Sequence, residues 1–206
     1  TLTIESGGYV QLGGTNTSGD HVNSGGKLNV IDGTFDLNGQ NETLGPIQGA
    51  ATGIIDNTSV NAGIITVNNA LAAFGHNGEV FTFSGKLQNT GTGALGLTKD
   101  GTNTLILSQA NFHRGDTRII TGGVLQIDHA AGLTNSSLDL QAGDTGRLSF
   151  GTLTTAIFGG LKSARAFGIT NESGAAVAIT LGGNGQSTQV SGPIVDGGAG
   201  GSLTKV

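Results

Sequence analysis

The feature that most constrains the fold of this 206-residue chain is a series of very short runs in which apolar and polar residues alternate. Clear examples are YVQL (9–12), KLNV (27–30), TLIL (104–107) and VLQI (124–127). A repeat of two residues is the spacing of side chains on one face of a β-strand. Glycine, Asn or Asp separates the runs, and these residues favour tight turns. The pattern predicts an all-β protein with many short strands and no substantial helix.

The composition narrows the class further. Glycine makes up 39 of the 206 residues, but it has no three-residue period and only two prolines are present, which excludes collagen. Disordered chains combine low hydrophobicity with high charge, whereas only 11% of these residues are charged. We therefore expect an ordered chain in which glycine supplies the corners between strands.

The charge pattern and the missing residue types limit the partners. The net charge is −5 and the basic residues form no cluster, so the sequence argues against nucleic acid as a partner. No apolar run approaches the roughly 18 residues of a membrane-spanning helix. The chain contains no cysteine, which excludes disulfides and thiolate metal sites.

Segments of the first half of the chain resemble segments of the second half. The alignment joins 74–99 to 181–205 and Lys99 to Lys205, and it also joins 25–30 to 122–127 and 54–59 to 168–173. The offsets are all about 100 residues, and internal repetition indicates stacked units. We predict two super-repeats, about 1–99 and 100–206, with Lys99 and Lys205 at the same corner.

Repetition of short strands favours a β-solenoid over a sandwich, because each copy extends the same core. With about 20 residues per coil, the chain would form roughly ten coils and a rod about 45 Å long. Neither end shows a capping helix and Thr1 resembles a cut edge, so we expect one solenoid segment, 1–206, of a longer chain. Its end coils would pair with flanking coils or with further copies of the chain.

The segment 93–127 carries an ordered set of characteristic residues. They are Gly93, Leu97-Thr98-Lys99, Gly101, Thr104-Leu105, Leu107-Ser108, Ala110-Asn111, Gly115, Thr117, Ile119, Gly122 and Leu125-Gln126-Ile127. This set resembles the autotransporter-associated β-strand repeat, also called the passenger-associated transport repeat. The resemblance implies a right-handed parallel β-helix in a large secreted or surface-anchored bacterial protein. The sequence departs from the family pattern at 114–118, where RGDTR replaces a small Gly/Thr-rich turn.

The charged residues near this segment are interpreted as turn residues. Lys99 and Asp100 have no nucleophile, base and orienting group beside them, so Lys99 is interpreted as a solvated lysine before a corner. The cluster HRGDTR (113–118) contains the cell-adhesion tripeptide Arg-Gly-Asp, and we interpret it as a charged loop.

Patterns that would bind a metal are weak. The histidines have no metal-ligand spacing, although a solenoid could bring His113 near His129; the four are His21, His76, His113 and His129. Asp32, Asp36 and Glu42 only faintly resemble a calcium loop, because the EF-hand spacing fails. We predict no catalytic, cofactor-binding or metal-binding residue.

Three functions remain open. A polysaccharide lyase or hydrolase is the weakest, because the acids are scattered at turns (Asp20, Asp56, Asp144, Asp196) and the chain has one Tyr and no Trp. The sequence favours a non-enzymatic stalk or fibre element of a bacterial extracellular or cell-surface protein, which could assemble end to end. The alternative is an adhesin module that binds a glycan or a host surface.

Overall fold

The computed structural model describes residues 1–14, 21–68 and 79–206. These residues form 21 strands and no helix, which confirms the all-β prediction. Every strand pair among them is parallel. The chain therefore winds as a parallel β-solenoid, as the sequence predicts.

The strands line up in three long sheets, which form the sides of the solenoid, and in one short sheet. Sheet A contains, in spatial order, β1 (Leu2–Ile4), β3 (Leu28–Val30), β6 (Ile47–Gly49), β9 (Val80–Phe83), β12 (Thr104–Leu107), β14 (Val124–Ile127) and β16 (Arg147–Ser149). Sheet B contains β10 (Lys86–Leu87), β7 (Ile54–Asp56), β4 (Gly33–Asp36) and β2 (Gly8–Gln11).

The longest sheet runs along most of the solenoid. Sheet C contains β21 (Ser202–Lys205), β19 (Ala178–Leu181), β17 (Thr155–Ser163), β15 (Leu133–Leu140), β13 (Thr117–Ile119), β11 (Leu95–Asp100), β8 (Gly63–Asn68) and β5 (Glu42–Leu44). The short sheet D pairs β18 (Phe167–Gly168) with β20 (Ile194–Val195). One complete turn runs from sheet B through sheet C to sheet A, as β10, β11 and β12 do.

The alternating runs place their apolar residues in columns inside the solenoid. Leu107 pairs with Phe83 in the turn before it and with Ile127 in the turn after it, and all three are fully buried. Their outward neighbours are polar or half-exposed, as the two-residue period predicts. Burial of such a side chain contributes about 1.5–3 kcal/mol, so each turn adds to one continuous core.

Phenylalanines fill the core near the last turns. The rings of Phe150 and Phe158 stack with centroids 6.2 Å apart, and Phe167 meets Phe150 edge-on at 6.2 Å. Offset stacks and edge-to-face pairs are the favourable aromatic arrangements. This cluster closes the interior where the strands of sheet D replace those of sheet A.

The number of turns is lower than the sequence predicts. The eight strands of sheet C correspond to about eight turns, whereas about 20 residues per coil led to roughly ten. Leu97 pairs with Thr117, 20 residues later, but the offset grows to 23 between Leu138 and Leu161. It is 32 between Ile65 and Leu97, because this turn includes 69–78. Long corner loops therefore consume the residues of the missing turns.

Lys99 and Lys205 do not lie at the same corner, so that part of the repeat prediction is wrong. Thr98, beside Lys99, aligns with Arg118 and then with Asp139 of β15. Lys205 aligns with Leu181, then Phe158, and then with Leu133 of the same strand. Six residues of β15 separate the two columns. The division into two super-repeats itself stays a prediction.

Candidate functional site

A column of buried polar side chains follows the corner between sheets B and C. The strand register places Asn89 next to Asn57 and His113 next to Asn89. The Asn57 side chain accepts a hydrogen bond from the Gly39 amide (2.8 Å) and donates one to the Gly93 carbonyl (3.1 Å). Asn89 also donates to Gly93, at 2.6 Å. These amides satisfy backbone groups that the corner leaves without strand partners, so they stabilise the turn.

His113 takes the third position of this column and is fully buried. The Ser136 hydroxyl donates to the Gly115 carbonyl (2.6 Å), so it accepts from the Thr117 hydroxyl (2.8 Å). Thr117 in turn accepts from His113 Nε2 (2.9 Å), which assigns the ring proton to Nε2. Nδ1 is buried without a partner. Burial lowers the pKa of His113 to about 4, and a proton added at Nδ1 would find no acceptor.

Two carboxylates, Asp36 and Asp56, lie in register on adjacent strands of sheet B. Asp36 accepts hydrogen bonds from Tyr9 (2.6 Å), Gln11 (2.7 Å) and Thr58 (2.7 Å). Burial by itself would raise the pKa of Asp36, but these hydrogen bonds outweigh it and lower the pKa to about 2. Asp36 is therefore held ionised by three side chains and acts as a clamp between turns.

Asp56 repeats this arrangement one turn later. Its carboxylate accepts from the Gln88 amide (2.9 Å) and from the hydroxyl and backbone N–H of Thr90 (both 2.9 Å). The carboxylate of one turn thus holds a threonine of the next, as Asp36 holds Thr58. Hydrogen bonds to an ionised group are the stronger ones, so the two carboxylates hold successive turns together.

The faint calcium pattern and the histidines do not form a metal site in the described part of the chain. Glu42 is buried, and it binds the His21 ring (3.1 Å) and the Val22 amide (2.8 Å) instead. Across residues 1–14, 21–68 and 79–206, no three His, Asp or Glu side chains converge. His76 and Asp20 lie outside the described residues.

Lys99 is fully buried, so its interpretation as a solvated lysine is wrong. It follows the inward residues Leu95 and Leu97 at the same two-residue spacing, and its neighbours in the column are Val67 and Ile119. Its ammonium donates to the carbonyls of the next two residues, at 2.5 and 2.9 Å. Burial lowers the pKa of Lys99 to about 8, against the opposing effect of the Asp100 charge.

The cluster at 113–118 is not a free loop. Arg114 is exposed, but its side chain donates to the Gly91 carbonyl at 2.6 Å. A Cβ atom on Gly115 would lie 2.5 Å from the Leu95 carbonyl oxygen, so this residue packs directly on β11. Asp116 is bound by Lys162 at 2.6 Å. The Arg-Gly-Asp residues are therefore part of a coil, and β13 begins immediately after them.

The charged residues collect on the outer face of sheet C. Arg118, Asp139 and Lys162 follow one another in a single outward column. Two cavities of about 330 Å³ each lie along this face and share Asp139. Lys162 pairs with Asp116, and Arg118 pairs with the buried Asp144 at 2.7 Å. The acids of this face are thus engaged by bases, and the face offers a charged groove across several turns.

A loop crosses part of this face. Residues 182–189 leave β19 and reach β15, where the Asn184 amide donates to the Ser137 hydroxyl at 3.0 Å. Gly160 lies beneath the loop, and a Cβ atom there would come within 2.9 Å of Thr188. Ser137 points outward but is fully buried by this cover. The groove is therefore closed at β15 and β17 and open at β8, β11 and β13.

Residues 97–127 match the family model of the passenger-associated-transport-repeat. The chain contains a passenger-associated transport repeat. The matched residues run from β11 through β12 and β13 to β14, so the transport repeat covers slightly more than one turn of the solenoid. Comparison with curated proteins and with solved structures finds no match. None of the described elements is a helix long and apolar enough to span a membrane.

The structure gives a physical reason for two residues of the transport repeat. A Cβ atom on Gly123 would lie 2.0 Å from the Gly101 carbonyl oxygen and 2.8 Å from the Lys99 ammonium. Only glycine fits between this carbonyl and the buried ammonium. Lys99 and Gly123 are therefore two parts of one corner, in which the ammonium fixes the carbonyls that the next turn packs against.

Proposed function

We propose that this chain is a non-enzymatic structural segment of a secreted or cell-surface passenger, in which the stacked coils act as a stiff spacer. The transport repeat supports the passenger context, since the family occurs in exported proteins. The solenoid supports the mechanical role, because each turn is joined to the next by backbone hydrogen bonds along three sides.

The observation that carries this proposal is the use of the buried polar groups. Asp36, Asp56, Asn57, Lys99 and His113 each bind a corner or a neighbouring turn. Catalytic sites leave a titratable group facing a cleft, whereas these groups lie within the wall or the interior of the solenoid. Their arrangement stabilises the stack of turns.

The partners of such a spacer are further coils. β1 pairs only with β3 at one edge of sheet A, and β21 pairs only with β19 at one edge of sheet C. The free side of each strand offers backbone N–H and C=O groups to another parallel strand. Flanking sequence or another copy of the chain would supply that strand, and end-to-end assembly is the second form.

An adhesin function is the alternative that the outer face of sheet C supports. Its open part is lined by the half-exposed Ile64, by Gly96 and Thr98, and by the charged Asp116 and Arg118. A groove with an apolar floor and charged walls suits a glycan chain. This function predicts that the side chains of the groove, rather than the coils, determine activity.

Two variants of the protein that carries this segment separate these functions. The first neutralises the outer face (Asp116→Asn, Arg118→Gln, Asp139→Asn and Lys162→Gln), and the second breaks a corner (Gly123→Ala). Antibody detection of a tag placed before Thr1 on intact cells reports display. The spacer function predicts normal display and normal attachment to glycan or host cells for the first variant and loss of display for the second. Lost attachment by a normally displayed first variant would favour the adhesin function instead.

A further inference from the structure

Sheet A is interrupted at one place in the stack. The chain passes from sheet C to sheet A in successive turns, through β14 and then β16. In the following turn β18 comes to the next position, but it pairs with β20 and not with β16. Side chains bridge the gap, as Arg165 donates to the carbonyl of Gly146 and the Glu172 carboxylate accepts from Ser149 at 2.6 Å.

A cavity of about 290 Å³ occupies this interruption. Arg147 of β16 lines one side, and Arg165 and Thr170, which flank β18, line the other. Leu148 and Phe167 contribute apolar surface. The volume is near the lower end of the range for small-molecule pockets, so it suits one sugar ring or a smaller ion.

Positive charge is concentrated here in a chain that carries few charges. Three of its four arginines, Arg118, Arg147 and Arg165, lie at this end of the corner between sheets C and A. Asp144 pairs with Arg118 at 2.7 Å, and Glu172 pairs with Arg147 at 2.7 Å. Within the described part of the chain Arg165 forms no ion pair, so its charge is the one left without a carboxylate.

Arg165 also has an unsatisfied donor. Its Nε atom is buried and finds no hydrogen-bond partner in the described residues. Buried donors are almost always paired, so an orphan on a guanidinium that lines a cavity indicates an absent acceptor. Guanidinium groups bind carboxylates and sulfates through two parallel hydrogen bonds, which an Nε and an adjacent terminal nitrogen can supply.

We propose that the cavity between β16 and β18 is an anion-binding site that takes a carboxylate or sulfate group, with Arg165 as its principal ligand and Arg147 and Thr170 beside it. The group is either a free oxyanion or the charged substituent of an acidic sugar. The hydroxyl of Thr170 and the half-exposed guanidinium of Arg147 would hold the remaining oxygens or the ring. This site is independent of the spacer function, since it lies at the surface.

Nuclear magnetic resonance of the ¹⁵N-labelled chain tests the proposal through the Arg165 Nε–H signal. Sodium sulfate, sodium glucuronate and neutral glucose are titrated at constant ionic strength, set with sodium chloride. The site predicts a saturable shift of this signal and of the Thr170 amide with sulfate or glucuronate, and none with glucose. Tighter binding of glucuronate identifies an acidic sugar as the ligand, and binding of sulfate alone identifies a free oxyanion.

Three variants complete the test. Arg165→Gln should weaken binding about tenfold or more, because it removes a charge-assisted pair. Arg147→Gln, at a side chain that is 57% exposed, should weaken binding less and leaves the fold intact. Arg114→Gln, which removes the same charge elsewhere, should leave binding unchanged. Non-saturating shifts that chloride also produces, or equal binding by Arg114→Gln and both cavity variants, would overturn the proposal.

Discussion

At the scale of single residues, the account depends on charged or titratable groups that are buried for structural reasons. Lys99 and His113 both occupy inward positions where neighbouring turns carry aliphatic or amide side chains. Their pKa values fall to about 8 and about 4 because burial disfavours their charged forms. Each residue therefore makes stability depend on pH in its own range.

Replacement of Lys99 by methionine should stabilise the chain at pH 7. The unfolded chain keeps its proton up to about pH 10.5, while the folded chain loses it near pH 8, so wild-type stability rises with pH across this window. Lys99→Met removes the cost of the buried charge but loses two hydrogen bonds, for a net gain of about 1–2 kcal/mol. Urea denaturation at pH 7 and pH 10 measures it, and an unchanged pH slope in Lys99→Met would contradict the assignment.

Replacement of His113 by asparagine should remove a loss of stability in acid. The unfolded histidine gains its proton below about pH 6.5, but the folded one resists until about pH 4, so wild-type stability falls as the pH falls through this range. The difference between wild type and His113→Asn should change by about 3 kcal/mol between pH 6.5 and pH 4. Asparagine also suits the column of Asn57 and Asn89.

Thermal denaturation across this pH range makes the comparison. His129→Asn, at an exposed position, serves as the control and should follow wild type. A His113→Asn variant that loses stability in acid as steeply as wild type would show that His113 is not the group concerned.

At the scale of elements, the corners decide which sequences can stack. Gly122 and Gly123 are adjacent, but only Gly123 lies against a carbonyl of the previous turn. An alanine at Gly122 would meet nothing nearer than 3.7 Å, at the Thr102 methyl group. The two positions therefore form a matched pair for testing the corner.

Gly123→Ala should destabilise the chain by about 2–4 kcal/mol, because its methyl group would overlap the Gly101 carbonyl oxygen. Gly122→Ala should change stability by less than about 0.5 kcal/mol. Chemical denaturation of both variants measures the difference. Equal stability of the two would show that the turns do not approach each other at Gly123 as described.

Strand positions were predictable from the sequence, but several side-chain environments were not. The two-residue period identified inward residues such as Leu105 and Leu107, and by the same period it placed Lys99 inward after Leu95 and Leu97. The charge of Lys99 suggested solvent instead, because a lone sequence does not show the carbonyls that receive the ammonium. Alternation was the better guide.

The number of turns and the anion cavity depend on features that a repeat pattern does not contain. Corner loops vary in length, so a fixed coil of about 20 residues gave too many turns. The cavity exists because β18 fails to pair with β16, and no residue type signals a missing pairing. Arg147 and Arg165 are 18 residues apart, and only the register of successive turns brings them together.

At the scale of the whole molecule, the account describes a stack in which each turn is held by its two neighbours. Sheet C alone joins eight turns, and its strands align from Glu42 to Lys205. In such a linear array the free energy of unfolding is approximately a sum over turns and the contacts between neighbours. A pulling force applied to the chain ends should then remove turns from the edges, one after another.

Single-molecule optical tweezers, with handles at both ends of the chain, test this central claim most directly. The account predicts stepwise extension in increments of one turn, 20 to 24 residues for most of sheet C, or about 7–9 nm of released chain per step. Gly123→Ala should lower the force of the steps near its corner. Release of the whole chain in one low-force event would contradict a stack of turns held by their neighbours.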